Sequence, residues 1–217
     1  MGKKGLSSIT KKLIMAISGA GLVIFLLFHG SMNLVAIFSE DGYRMICEFL
    51  GANWYAIVGT IGLAVLVAVH LVYAFILSYQ NRKSRGNKKY AVTERPEGVS
   101  WASRNMLALG AFILFGLALH LYDFWAKMQL AEIRGGVPAD GIDRLKFIFS
   151  SNYLSIMYLI WLVAIWYHLS HGIASVMQSI GWSNIVWQSR IEFLGKLFAF
   201  IIVAMFASVV LYYWLIV

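Results

Sequence analysis

Five long segments of this chain contain no aspartate, glutamate, lysine or arginine, a pattern that a water-soluble fold cannot accommodate. Each segment reaches or exceeds the roughly 18 residues that mark a membrane-spanning helix. With 60% of the 217 residues hydrophobic and 13% charged, the chain has too few polar residues to cover a water-facing surface. The five segments are Leu13–Phe38, Phe49–Asn81, Asn105–Tyr122, Phe147–Ser189 and Leu197–Val217.

We therefore predict an all-α integral membrane protein, a single domain over residues 1–217. The fourth segment is long, but Gln178–Asn184 interrupts it and leaves room for one helix followed by an interfacial stretch. The first segment exceeds the roughly 7–15 residues of a signal-peptide core, so we expect it to remain in the mature protein. The five predicted helices cover about residues 12–38, 53–81, 102–130, 150–179 and 191–217.

The basic residues predict the orientation of these helices. The amino-terminal tail, the segment from Arg82 to Arg104, and the segment with Arg190 and Lys196 together hold 13 of the 18 Lys and Arg residues. Such segments stay on the cytoplasmic side, which places the amino terminus inside and the carboxyl terminus outside. The net charge of +8 is thereby explained by membrane topology, and we expect no nucleic-acid partner.

All five histidines lie inside the predicted spans, where an ionisable side chain is costly and its default interpretation is functional. With a rise of about 1.5 Å per residue, His29 and His120 both lie roughly 6 Å to the outer side of the midplane. His70 and His168 lie roughly 3–5 Å to the inner side. Two histidines facing each other at each of two depths is the arrangement that two stacked, bis-histidine haems require.

Other metal sites fit this pattern poorly. Zinc needs three or four ligands at one level, often including cysteine or carboxylate. The single cysteine, Cys47, excludes an internal disulfide, and no Cys-x-x-Cys-His motif is present for covalent haem attachment. The prediction is therefore two non-covalent b haems, although a lone membrane histidine serves equally well in an interhelical hydrogen bond. Glycines near the ligands also favour a flat ring or close helix packing: Gly30, Gly59, Gly62, Gly116 and Gly172.

The ordered histidines resemble those of a known family, the single-chain, five-helix, dihaem cytochrome b anchors of succinate:quinone and quinol:fumarate oxidoreductases. The matching features are Ser18-Gly19 before His29, then His70, His120 and the segment His168-Leu-Ser-His-Gly172. A last helix without histidine also fits, and the likeness covers essentially the whole chain. It implies His29 and His120 as ligands of an outer haem and His70 and His168 as ligands of an inner haem. The His-x-x-x-Gly spacing favours His168, with His171 as the alternative.

The resemblance also implies partners and a location. They are an FAD-containing flavoprotein that interconverts succinate and fumarate, an iron–sulfur subunit on the cytoplasmic side, and menaquinone or another quinone in a bacterial cytoplasmic membrane. The chain itself is then not the catalyst for succinate or fumarate, but carries electrons to a quinone-reactive site. Some family members have a glutamate two residues before the fourth ligand, linked to proton passage. This chain has Trp166 there, which puts such a proton route in doubt.

Candidates for quinone proton exchange are few. Glu48, at the outer end of the second span, is the first choice, and Asp123 is the second. A carboxylate at the end of a loop is more often simply solvated. Two rival functions remain open: the dihaem cytochrome b subunit of a hydrogenase or formate dehydrogenase, and a transporter that uses the histidines as a proton relay.

Overall fold

A computed structural model describes residues 6–85, 101–184 and 186–217 of the chain. Five of its helices are long and apolar enough to cross a membrane, which confirms the predicted number of helices with that capacity. No strand is present in these ranges. The spanning helices are α1 (Ser8–Phe38), α3 (Trp54–Arg85), α4 (Trp101–His120), α7 (Asn152–Ser179) and α8 (Gln188–Leu215). Lys3, Lys4 and most of the predicted basic segment between Arg82 and Arg104 lie outside the described residues.

The helix ends differ from the predicted ones where local signals decide them. Helix α1 begins four residues earlier than predicted because the Ser7 side chain accepts a hydrogen bond from the Thr10 amide and caps it. The third span does not run to residue 130. It passes from α4 into a π-helical turn, Leu121–Trp125, and breaks at Met128, whose φ of −106° and ψ of −94° are not helical.

Three short helices lie outside the spans, and together they form what we call the cap. These are α2 (Glu40–Phe49), α5 (Gln129–Ile133) and α6 (Gly141–Phe149). Helix α2 lies between the first two predicted helices, where no helix was predicted. Ser39 caps it, and two acidic residues in its first turn favour a helix start. By the charge distribution, the cap end of the bundle is predicted to be the outer one.

The cap is joined by charged and polar contacts. Arg44 of α2 pairs with Asp140, which caps α6, at 3.0 Å, and Lys146 of α6 pairs with Glu40 at 2.7 Å. The hydrogen bond and positive charge of Lys146 lower the pKa of Glu40. Gln129 accepts from Thr60 and donates to the carbonyl of Gly51, which ties α5 to the start of α3. The cap therefore fixes the loops at one end of the bundle.

The spanning helices pack unevenly. Helix α7 lies along α8, α1 touches α3, α7 and α8, and α4 lies along α7. Between them, Ala199, Ile202 and Tyr213 are almost fully enclosed. Helix α3 stands at the edge of the bundle, since none of its described side chains is buried, and it barely touches α4. The histidine of α3 consequently faces a thinly packed region between α1, α4 and α7.

Candidate functional site

Two pairs of imidazole rings face each other inside the bundle. The first pair is His29 of α1 and His120 at the end of α4, with ring centroids 5.9 Å apart and planes inclined by 78°. The second pair is His70 of α3 and His168 of α7, at 6.3 Å and 65°. The structure thus brings together the same partners that the depth argument paired.

The two pairs are stacked along the bundle. Ser18 of α1 touches His70, and His29 lies 11 residues further along the same helix, which corresponds to about 16 Å. A Cβ built on Gly110 of α4 would lie 3.8 Å from Cε1 of His168, and His120 follows ten residues later, about 15 Å away. Two separate helices therefore give the same spacing between the pairs.

Aromatic rings and an amide hold His29. Phe25, one turn earlier, stacks on its ring at 5.3 Å, and Phe206 of α8 lies at 5.6 Å. Asn33 donates to the His29 carbonyl at 2.8 Å and accepts from the Tyr43 hydroxyl. The Asn33 amide nitrogen is 3.4 Å from Nδ1 of His29. That contact is longer than a usual hydrogen bond, so it restrains the orientation of the ring more than its tautomer.

The ring of His120 sits against three aromatic side chains: Phe124 at 5.3 Å, Trp161 at 5.9 Å and Tyr158 at 6.4 Å. Trp161 reaches this position because Gly116 has no side chain, since a Cβ there would collide with the indole. The indole nitrogen of Trp161 donates to the Ile113 carbonyl at 3.1 Å, which fixes the ring on α4. Nδ1 of His120 is buried without a hydrogen-bond partner among the described residues.

The side chain of Ser18 contacts a ring nitrogen of His70. The Ser18 hydroxyl donates to the Met15 carbonyl at 3.0 Å and lies 3.2 Å from Nδ1 of His70. Both contacts are satisfied together when the Ser18 hydroxyl donates to Met15 and its oxygen accepts from Nδ1–H of His70, which is the tautomer with Nε2 unprotonated. A Cβ on Gly19 would lie 3.3 Å from Cε1 of His70, so a small residue is needed at this contact.

His168, and not His171, stands opposite His70. His171 lies one turn further along α7, is half-buried, and makes no ring contact with His70 in the part of the chain that the structure describes. Nδ1 of His168 is buried and has no hydrogen-bond partner in the described part of the chain, and the same holds for the indole nitrogen of the neighbouring Trp166. This geometry agrees with the choice of His168 over His171, while the ligand role itself stays a prediction.

The donor set fits a haem better than a bare metal ion. Each pair offers two imidazole nitrogens, and no third His, Cys, Asp or Glu joins either pair among the described residues. When two imidazoles bind one metal from opposite sides, each ring centroid lies one bond of about 2 Å plus about 1 Å of ring from the metal. The two centroids are then about 6 Å apart. Both observed separations match that figure. A porphyrin supplies the remaining four nitrogens, so a pair of axial histidines is complete without further side chains.

The glycines divide into two groups. At Gly30 a Cβ would meet Met205 and Phe206, and at Gly116 it would meet Trp161, so both serve helix packing. At Gly59, Gly62 and Gly172 no heavy atom lies within 4 Å of a built Cβ. The packing interpretation thus accounts for the first two, and only the other three leave open space.

The two carboxylates considered for proton exchange lie in different surroundings. Glu48, in α2, is exposed, and its carboxylate forms no hydrogen bond or ion pair within the described ranges. Asp123, in the π-helical turn directly after His120, is 6% exposed and accepts a hydrogen bond from the Tyr158 hydroxyl. Sequence analysis placed Glu48 ahead of Asp123 as the candidate for proton exchange with a quinone. The burial of Asp123 leaves no local pattern in the sequence, because its contact with Tyr158 spans 35 positions.

Comparisons with known proteins add no identification. No protein-family model matches the chain, and neither a curated protein nor a solved structure matches it. The class that the fold defines is an all-helical protein with five helices capable of spanning a membrane.

Proposed function

We propose that the chain is a dihaem cytochrome b that anchors a succinate:quinone or quinol:fumarate oxidoreductase in a bacterial cytoplasmic membrane. The observation that carries the proposal is the existence of two facing histidine pairs, at 5.9 Å and 6.3 Å, stacked within one apolar bundle. His29 with His120 would hold one b haem, and His70 with His168 would hold the other. Each haem, when bound, supplies a site for reversible one-electron reduction.

The protein's own contribution is to place and tune these two sites. As the acceptor of a hydrogen bond from Nδ1–H of His70, Ser18 would leave Nε2 free to act as a ligand. Phe25, Phe206 and Trp161 enclose the rings of the first pair in apolar surroundings. Burial of this kind excludes water and strengthens the effect of nearby charges. Two sites about 15 Å apart along the helices would let electrons cross part of the bilayer in one chain.

The partners follow from the family resemblance. An FAD-containing flavoprotein and an iron–sulfur subunit would dock on the cytoplasmic side, where the basic segments are predicted to lie. A lipid-soluble quinone, menaquinone in the first instance, would exchange electrons with the chain. Glu48 is retained as the proposed site of proton exchange with that quinone, since its carboxylate is exposed on the cap.

A reductant test distinguishes this function from its rivals. The chain is isolated from its native membrane in mild detergent, together with the subunits that accompany it, and the visible spectrum is followed after addition of succinate, hydrogen or formate. Reduction of a b-type haem by succinate is the expected result. Reduction by hydrogen or formate alone would assign the chain to one of those enzymes. A folded protein without any haem would overturn the proposal and favour the histidine-relay transporter.

A further inference from the structure

Asp123 is the one acidic residue that is buried in the described part of the chain, and the cytochrome proposal gives it no role so far. It lies in the π-helical turn Leu121–Trp125, which begins directly after His120 and is closed by a hydrogen bond from the Ala126 amide to the Leu121 carbonyl. Single π-helical turns inside helices recur at functional sites. A buried carboxylate also requires compensation, because desolvation of an unpaired charge is costly.

The compensation comes from two neighbours. The Tyr158 hydroxyl donates to Oδ2 of Asp123 at 2.9 Å. The Arg144 guanidinium donates to the Asp123 backbone carbonyl through Nε at 3.0 Å and Nη2 at 2.6 Å. A buried acidic side chain is compensated by hydrogen bonds and by an opposite charge nearby, and Asp123 has both. Its carboxylate therefore lies inside the apolar bundle together with the partners that a buried negative charge requires.

This charge lies one aromatic ring away from the first histidine pair. The Tyr158 ring that bonds Asp123 is 6.4 Å from the His120 ring, and Phe124 and Phe149 pack around Tyr158 at 6.3 Å and 5.4 Å. With apolar rings between the carboxylate and the histidine, little solvent is present to screen the field.

Among the described residues, no buried acidic side chain lies beside the second pair. Its polar neighbour is the neutral Ser18 hydroxyl. The acidic residue nearest to that part of the bundle on α8, Glu192, is only half-buried and accepts a hydrogen bond from Gln188. The electrostatic surroundings of the two pairs are therefore unequal, with the negative charge placed beside His120.

We propose that the Asp123 carboxylate, held by Tyr158 and Arg144, lowers the reduction potential of the haem bound by His29 and His120. This inference rests on the proposed function. An oxidised haem carries one more positive charge than the reduced form, so a fixed anion nearby stabilises the oxidised form. Asp123 acts here as a positioning residue through the field and through the contact of Tyr158 with His120, and it does not bind the iron.

The test is a potentiometric titration of haem absorbance in the purified protein and in Asp123→Asn. A unit charge roughly 10 Å away, in a medium of effective dielectric constant about 20, changes an equilibrium roughly tenfold. A tenfold change is about 59 mV for a one-electron couple. The expected result is a positive shift of about that size in one of the two potentials, with the other unchanged. Asp143→Asn removes the same charge from an exposed position of α6 and should shift neither.

A second variant covers the case in which Asp123→Asn fails to fold. Asp123→Leu combined with Tyr158→Phe removes the carboxylate and the hydroxyl that donates to it, so neither side chain is left with an unpaired polar group. This double variant should give the same positive shift of one haem potential. Asp123→Glu, which keeps the charge, should stay close to the wild-type value. Two haems with unshifted potentials in the charge-free variants would overturn this inference and leave the cytochrome proposal standing. Absence of haem from the folded wild-type protein would overturn both.

Discussion

The Ser18 hydroxyl of α1 lies 3.2 Å from Nδ1 of His70 on α3, while its own proton is donated to the Met15 carbonyl. One side chain thus connects α1 with α3 at a ring nitrogen of the histidine. Helix α3 has no buried side chain among its described residues, so this contact is an important restraint on its histidine. Histidine ligands in proteins usually have such an outer partner, which fixes the tautomer and the direction of the ring.

Replacement of Ser18 by alanine should weaken the second haem site without affecting the first. Loss of an outer hydrogen bond to a ligating histidine typically costs 10–100-fold in metal affinity, and an effect of roughly that size is expected here. Haem retention during gel filtration with a haem-scavenging protein measures it. Ser31→Ala is the matched control, because within the described ranges the Ser31 hydroxyl contacts the Leu27 carbonyl and Met205 and neither of the histidine pairs. Equal haem loss from both variants would contradict the assigned role of Ser18.

The choice between His168 and His171 is tested by removing each in turn. His168→Ala should reduce the haem content of the protein by about half, because the ring opposite His70 is lost. His171→Ala should retain both haems, because the ring that faces His70 among the described residues is that of His168. Pyridine haemochrome absorbance per mole of chain gives the content. If His171→Ala lost the haem and His168→Ala kept it, the assignment would have to be exchanged.

Gly116 should tolerate no side chain, because the Trp161 indole occupies the space that its Cβ would fill. Gly116→Ala forces Trp161 away from His120, and overpacking of this kind typically costs about 1–3 kcal/mol. We expect a lower unfolding temperature in detergent and partial loss of the first haem. Gly59→Ala provides the control, since no heavy atom lies within 4 Å of its built Cβ. A Gly116→Ala protein as stable as the Gly59→Ala control would show that the Trp161 side chain can adopt another conformation without loss of packing.

The stability of the cap should fall in acid. Burial alone would raise the pKa of Asp140, but hydrogen bonds from the Asp143 and Ile142 amides and from Arg44 outweigh burial and lower it. A carboxyl whose pKa is lower in the folded state stabilises that state above its unfolded pKa of about 3.9, and this contribution is lost as the pH falls through the folded value. The unfolding temperature should therefore be insensitive to this group at neutral pH and drop below about pH 4.

Two variants at this position separate charge from helix capping. Asp140→Asn keeps an acceptor for the α6 amides but has no titratable charge, so its stability should fall less steeply in acid than that of the wild type. Asp140→Ala should lose about 1 kcal/mol at neutral pH as well, because the cap is removed. Thermal unfolding followed by circular dichroism between neutral pH and pH 3 measures both. The same acid dependence in Asp140→Asn and wild type would exclude Asp140 as its source.

The sequence was most informative about features that depend on neighbouring positions, such as the length of an apolar run and the depth of a residue along a helix. Charge-free runs predicted the five spans, and the regular rise of a helix matched His29 with His120 and His70 with His168 by depth. Such features say nothing about contacts between distant positions. The packing of Trp161 on Gly116, 45 positions apart, and of Tyr158 on Asp123 depends on how α4 and α7 meet.

Other features left weaker or no local signals. The π-helical turn after His120 has no recognisable sequence pattern, so the third span was expected to continue smoothly to residue 130. Helix α2 does have a helix-start signal, the capping residue Ser39 followed by Glu40 and Asp41, but it is too short to span a membrane and was not predicted. The orientation of the chain in the membrane and the ligand role of each histidine remain predictions from charge and spacing.

The most direct test of the account is the haem content of the purified, folded chain, measured as pyridine haemochrome together with a reduced-minus-oxidised spectrum. The account predicts about two haems b per polypeptide, both low-spin with two imidazole ligands, since each histidine pair supplies two axial positions. A well-folded protein that contains no haem, even when it is produced with haem in excess, would contradict it.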